Sequence, residues 1–273
     1  MMKINKNTVR KCLDDLWLSL DDNFEKEKLY GQQYYRYKNI LLALANIKRG
    51  GRILEIGSGI GHLSFCIHEF EFKLTCLDFK FDNNKYSKKD PDSMIECDIE
   101  REKFPFKDNT FDDVLFTDVI EHLMDDPKVT LSEIRRVLKT NGSLIITTPN
   151  VHYFPLLFFP FFGKNVFPII SEYYTSPHQA KHRLVYDRHN RLFTMNELAE
   201  IVSAAGFSIA EKKFLACAEP VLKFKGKIAY SHKTFDIKRL FDTDMPKKMF
   251  FYLVTKIFPF WRSWIMITAV KSA

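Results

Sequence analysis

The stretch that decides the fold is Ile53–Leu63, "ILEIGSGIGHL". A short apolar run is followed by glycines at 57, 59 and 61 and then by a helix-like segment, the pattern of a strand turning sharply into a helix around a nucleotide. The kind of nucleotide is set by what the loop lacks. A dinucleotide fingerprint, G-x-G-x-x-G/A, counted from Gly57 and Gly59 needs a small residue at 62, where this chain has His62. A P-loop needs Gly-Lys-Ser/Thr, and the chain has none after these glycines. What is left is E-x-G-x-G-x-G over Glu55–Gly61, with Asp78 closing the next apolar run about 20 residues on, where a carboxylate can take both hydroxyls of a ribose. The chemistry implied is ribose recognition without a pyrophosphate site.

Outward from the loop, short apolar runs alternate with helical patterns: "RILEI", the helix 63–70, "KLTCLD", "SMIECD", "DDVLFTD", the helix Lys128–Leu138 and "GSLIITTP". This predicts an α/β fold with a parallel sheet and helices on both faces. The polar segment 79–92, which contains Pro91, is too broken for a full crossover helix and reads as a turn. Thr194 with Glu197 marks a capping box, and Gly206 the stop of that helix. "FSIAEKKFL" and "WIMITAV" read as strands. Two helices are expected ahead of the core, Thr8–Leu20 and Glu27–Ile47, forming a lid or packing segment over 1–48. The core is then 49–213 plus 262–273, with an insertion over 151–187 and an added lobe over 214–261.

At 273 residues, 46% apolar and 27% charged, the chain has the makeup of a globular protein, with Phe unusually heavy at 26 copies. Its five cysteines show no C-x-x-C spacing, so neither a zinc knuckle nor a disulfide framework is expected. The opening residues mix acids and lysines where a signal peptide needs an apolar core, and the expected location is the cytoplasm. The longest apolar tract, "YFPLLFFPFF" at 153–162 and on to "VFPII", is interrupted by prolines and by Gly163-Lys164-Asn165, a poor spanning helix but one that could lie on a membrane surface. Of the net charge of +7, residues 221–273 hold +8, with 11 Lys and Arg against 3 Asp.

The loop and the hundred residues around it resemble the class I S-adenosylmethionine-dependent methyltransferases. "ECDIEREKFPFKDNTFDDVLFTDVIEHL" and "SEIRRVLKTNGSLIITTPN" are similar to the ubiquinone-biosynthesis-like and general small-molecule branch over residues 50–150. The resemblance implies a Rossmann-like sheet of seven strands and S-adenosylmethionine as cofactor. Gly57 and Gly59 would let the backbone approach its methionine part, with Glu55 and Gly61 completing the loop. Asp78 would bind the ribose diol, Asp98 the adenine amino group with Ile99 beside the ring, and Thr117 and Asp118 would line the floor beneath the methyl group. Gly142 needs no such role; a helix-to-strand turn explains it.

"DVIEHL" sets Asp118, Glu121 and His122 at i, i+3 and i+4, so their side chains can converge if the strand end turns directly into a helical turn. "YDRHNRLFT" offers His189, and His178 and His182 read as surface residues. A hydroxyl acceptor is a weak nucleophile, so O-methylation gains from a general base or a metal that lowers the hydroxyl pKa. The arrangement resembles that of small-RNA 2'-O-methyltransferases and ubiquinone-pathway O-methyltransferases, in which an E-x-x-E-H segment and a later histidine bind a divalent metal. That implies Asp118, Glu121, His122 and His189 as ligands of an ion such as Mg2+ or Mn2+, although Asp118 stands where the pattern has the longer Glu. The alternative is a metal-free pocket in which His122 is the base or orients the acceptor, with Glu121 and His189 beside it.

The expected acceptor is a sugar hydroxyl of a glycan or lipid-linked glycan precursor, since "TTPNVHYFPL" followed by "RHNRLFTMNEL" resembles methyltransferases found with surface-polysaccharide synthesis. A quinone or lipophilic phenol, an RNA ribose, and a non-catalytic cofactor-binding scaffold are the alternatives. The basic tail, where lysines from Lys223 to Lys248 interleave with phenylalanines, suits an anionic partner, either acidic lipid headgroups or a phosphate-bearing lipid-linked glycan, with nucleic acid less favoured for want of any RNA-binding motif; a merely solvated basic face is the alternative.

Overall fold

The computed structural model describes residues 4–20, 26, 29, 33–46, 50–81, 93–163, 178–179, 184–185, 188–216, 250 and 253–272. Five parallel strands form its centre: β1 (Arg52–Ile56), β2 (Lys73–Asp78), β3 (Met94–Glu96), β4 (Phe111–Thr117) and β5 (Leu138–Pro149). β6 (Phe207–Leu215) and β7 (Trp264–Lys271) complete a sheet of order β3-β2-β1-β4-β5-β7-β6, with β7 antiparallel to both neighbours. The order reverses between β1 and β4, and at such a switch point the strand ends leave a crevice for a ligand.

The period-2 alternation of the strands sorts their side chains between two cores. Leu54, Ile56, Val114, Phe116, Leu144 and Ile146 face α4 (Pro127–Val137) and α5 (Met195–Ala204). Ile53, Leu115, Ile145 and Met266 face the other layer: α1 (Lys6–Ser19), α2 (Tyr34–Ala43) and α3 (His62–Glu69). Helices therefore cover both faces, as the sequence pattern predicts.

α1 opens on a capping box between Asn5 and Thr8 and buries Val9, Cys12, Leu13 and Leu16. α2 runs from Tyr34 and continues as a 3-10 turn, Leu44–Asn46, inside the expected Glu27–Ile47 helix, of which residues 27–28, 30–32 and 47 lie outside the described residues. β5 starts at Leu138, directly after α4, rather than at Gly142. Asn141 carries the left-handed conformation there (φ 64°), and a Cβ on Gly142 would lie 2.6 Å from the Asp112 carbonyl oxygen, so close backbone approach demands that glycine.

Within the 151–187 insertion the described parts are a 3-10 helix, Phe154–Phe162, and a two-residue ribbon pairing His178–Gln179 with Leu184–Val185. The predicted turn at 82–92, His182, Cys217 and the basic run from Lys223 to Lys248 lie outside the described residues. Cys12, Cys66, Cys76 and Cys97 are buried thiols with no disulfide among them. No helix among the described residues is long and apolar enough to cross a membrane.

Candidate active site

The glycine loop links β1 to α3 under tight sterics. Gly57 has φ 74°, and a Cβ there would meet Val119 Cγ2 at 2.3 Å, so only glycine fits. The Gly57 N–H donates to the Leu77 carbonyl at 2.9 Å and holds the loop against the end of β2. Above Gly59 a Cβ would meet nothing within 4 Å, which leaves an open cradle. The Gly59 N–H donates to Asp78 Oδ2 at 3.1 Å and the Phe79 N–H to Oδ1 at 2.8 Å. Burial pushes the Asp78 carboxyl up to about 6 against the pull of those N–H donors.

Glu55 sits beneath the loop. Its carboxyl is buried and accepts the Ser64 hydroxyl at 2.5 Å, which fastens the first turn of α3 to β1. Burial raises it to about 7, with the Ser64 bond pulling the other way. Glu55 thus braces the cradle rather than lining it. Gly61, at φ 89°, is the N-cap of α3. After β3, the buried Asp98 accepts the Glu100 N–H at 3.2 Å, while its own N–H donates to Glu102 Oε2 at 2.9 Å. The half-buried Ile99 packs on the core beside it.

At the end of β4, Thr117 is buried and Asp118 adopts φ 56°, strained for a residue with a side chain. Thr147 donates to Asp118 Oδ1 at 3.0 Å, and Asp118 Oδ2 forms an ion pair with Arg36 from α2. Arg36 is itself buried, lies over the rings of Tyr37 and Trp264, and donates to Gln33. The sequence reading passed over this arginine.

A 3-10 turn over Ile120–His122 then presents Glu121 and His122. Glu121 is fully buried; Oε2 accepts the Thr148 hydroxyl at 2.9 Å and Oε1 has no hydrogen-bond partner. Burial pushes its carboxyl up, opposed by His122, Thr148 and Arg36. His122 Nδ1 lies 2.8 Å from the Arg188 carbonyl oxygen, which can only accept, so Nδ1 carries a proton and Nε2 is the nitrogen that bears the lone pair in the neutral ring. The His189 ring stands edge-on to His122 with centroids 4.9 Å apart. Asn190 stitches the two segments together, its N–H donating to the Glu121 carbonyl and its Nδ2 to that of His122, both at 2.7 Å.

Glu121, His122 and His189 offer ligand atoms within 4.8 Å of one another. Asp118 does not belong to that group: its carboxylate is turned to Arg36 instead. The four-ligand cluster expected from "DVIEHL" and His189 is thus three residues here, because the left-handed backbone at 118 directs the side chain toward α2. Thr148 and Asn190 also went unnoticed in the sequence, having no spacing signal of their own.

The family described as "Methyltransferase domain" matches residues 29–212, about two thirds of the chain. The chain belongs to the class I S-adenosylmethionine-dependent methyltransferases. Among its relatives, this methyltransferase is 24% identical over 201 residues to the ubiquinone/menaquinone biosynthesis C-methyltransferase UbiE of Desulfotalea psychrophila, covering 71% of this chain and 80% of that one. It superimposes on an S-adenosylmethionine-dependent methyltransferase from Archaeoglobus fulgidus with a TM-score of 0.57 at 18% identity, covering 92% of this chain and all of the other. The chain solved in complex with the Haloferax volcanii Trm112 methyltransferase activator gives 0.54 at 17% identity, over 96% and 98% of the two chains. The seven-stranded methyltransferase sheet and the cofactor expected from the sequence are both borne out.

Proposed function

We propose that this methyltransferase transfers its methyl group to an oxygen, and that the acceptor is a sugar hydroxyl of a glycan or lipid-linked glycan precursor in the cytoplasm. The observation that carries the oxygen is the hydrogen bond from His122 Nδ1 to the Arg188 carbonyl, which leaves Nε2, beside the buried Glu121 carboxyl, as the nitrogen that can act as general base. The cofactor supplies an electrophilic methyl on a sulfonium. The acceptor hydroxyl must lose its proton as its oxygen takes the methyl group, and His122 Nε2 would receive that proton. Glu121 then faces an imidazolium, and the proton held on Nδ1 by the Arg188 carbonyl keeps the ring from turning.

For the cofactor we assign Gly57 and Gly59 to its methionine part, Asp78 to the ribose, Asp98 and Ile99 to the adenine, and Thr117 to the floor beneath the methyl group. Asp118 reaches that floor only as the partner of Arg36. Residues 1–48, 151–187 and 214–261 are assigned to acceptor recognition.

The donor set also fits a divalent ion: one orphaned carboxylate oxygen, Glu121 Oε1, with His122 Nε2 and a His189 nitrogen. Bound there, an ion would lower the hydroxyl pKa and leave a coordination position for the acceptor oxygen.

A second reading, methylation of a quinone or other lipophilic phenol, is favoured by the relative named for ubiquinone and menaquinone biosynthesis. Methyl-labelled S-adenosylmethionine, given with the protein to demethylated cell extracts, separates the two by the fraction labelled. Carbohydrate or lipid-linked glycan supports the proposal and quinone replaces it. His122→Ala should lower turnover at least about a hundredfold with cofactor affinity unchanged. Turnover within about threefold of the parent would remove His122 as the base. Label lost on chelation and restored by Mn2+ would make Glu121, His122 and His189 a metal centre.

A further inference from the structure

Among the described residues, large apolar side chains stand exposed on two segments. Phe161, Phe162 and Ile257 are 84%, 74% and 70% exposed, and Phe158, Leu253 and Phe258 are exposed as well. They come from two distant segments, the 3-10 helix Phe154–Phe162 and the chain over 253–258. Edge-on and tilted ring contacts join the segments: the Phe154 ring centroid lies 5.0 Å from that of Phe158 and 5.1 Å from that of Trp261, and Trp261 lies 4.7 Å from Phe258. Asn150 anchors that junction, its Nδ2 donating to the Phe260 and Arg262 carbonyls at 2.8 and 2.7 Å. Thr148, which holds Glu121, is two residues back on β5, so the patch and the His122 turn are tied to the same strand end.

Scattered exposed apolar residues are ordinary, but a joined aromatic surface of this kind marks a partner. Its surroundings in the sequence identify the partner's chemistry. The last 53 residues hold 11 Lys and Arg against 3 Asp, while the rest of the chain is close to neutral. Lys256 stands exposed among the apolar residues. A second copy of the chain would bring like charge against like, which opposes pairing. Anionic headgroups attract it, and rings beside lysines are the composition that settles at a headgroup boundary.

We propose that Phe158, Phe161, Phe162, Leu253, Ile257 and Phe258 form a docking surface for an anionic lipid bilayer. The surface lies outside the cofactor cradle and the His122 turn but within two of the segments assigned above to acceptor recognition, so its test is read on vesicle binding and cofactor affinity rather than on turnover.

The test is co-sedimentation of the full chain with vesicles of phosphatidylcholine alone and with about one third phosphatidylglycerol, at low and high salt. The expected result is binding to the anionic vesicles only, weakened by salt and at least about tenfold weaker in a Phe161→Asp/Phe162→Asp variant. That variant should keep the parent's melting temperature and its affinity for S-adenosylmethionine, which shows that it folds. Should it fail to fold, Phe161→Ser with Ile257→Ser repeats the measurement. The proposal is overturned if the chain stays in the supernatant with both vesicle types. It is equally overturned if binding ignores lipid charge, if the folded variant binds like the parent, or if the substitutions dissociate a dimer that binds no vesicle.

Discussion

Arg36 is the residue on which the chain conformation at the end of β4 turns. Its guanidinium is buried between two rings and pairs with an aspartate held at φ 56°, so removing it leaves Asp118 strained and its charge uncompensated in a largely buried place. Arg36→Met should therefore destabilise the protein by about 3 kcal/mol in urea unfolding. Lysine should not rescue it, because a point charge cannot reach Asp118, Gln33 and both rings at once. A loss below about 1 kcal/mol would show that Asp118 holds its conformation through Thr147 alone. The sequence did contain a signal for this arginine. Arg36, Ile40 and Leu44 recur at i, i+4 and i+8 and all three are buried, so a charged residue stood on an apolar stripe. The glycines at 57 and 59 and the carboxylate at 78 could be proposed from the spacing of one local motif, and Asp98 from the family resemblance. Thr148 and Asn190 were not, since what each does depends on a partner 27 or 68 residues away.

At the scale of elements, legibility followed how abruptly the chain chemistry changes. β2 and β6 have the bounds expected from "KLTCLD" and "FSIAEKKFL", where short apolar runs lie between turn residues. α5 begins at its capping box, with the Thr194 hydroxyl accepting the Glu197 N–H and the Glu197 carboxylate accepting that of Thr194. The junction of α4 and β5 was harder to read. No loop separates them, and the register slips between Phe111 and Asp113, so the strand begins four residues before the glycine that looked like its turn. The cap of α5 follows Phe193, which bridges to Asn150 and receives the Val151 N–H on its carbonyl. Thr194→Ala should accordingly cost about 1 kcal/mol and, by loosening the path from His189 to α5, raise the acceptor KM before it lowers kcat. Equal effects on both, or none, would detach the cap from the site.

Over the whole molecule, three buried carboxyls share one consequence. Burial raises Glu55 to about 7 and Asp78 and Asp113 to about 6, from ordinary values of 4.5, 3.8 and 3.8. The folded state thus binds more protons than the unfolded chain between those limits. The stability this contributes is complete below the unfolded values and is lost as pH rises through 6 to 7. Asp108, Glu133 and Glu197 are shifted the other way by Arg136, by Arg136 and by the Thr194 N–H, and their contribution is lost only as pH falls through the depressed folded values. Between about pH 5.5 and 8 the first group prevails, and the cofactor-free protein should melt several degrees higher at the acid end. Cofactor binding runs against that trend if Asp78 accepts the ribose hydroxyls, because it must then be ionised. The rise in Tm on adding S-adenosylmethionine should be largest near pH 8 and shrink as pH falls through about 6. Asp78→Asn should weaken the cofactor at every pH and flatten this dependence, while leaving the part of the acid-side gain that belongs to Glu55. A cofactor-induced shift equal at both ends of the range in the parent protein would remove Asp78 from the ribose and leave it a buried brace for Gly59.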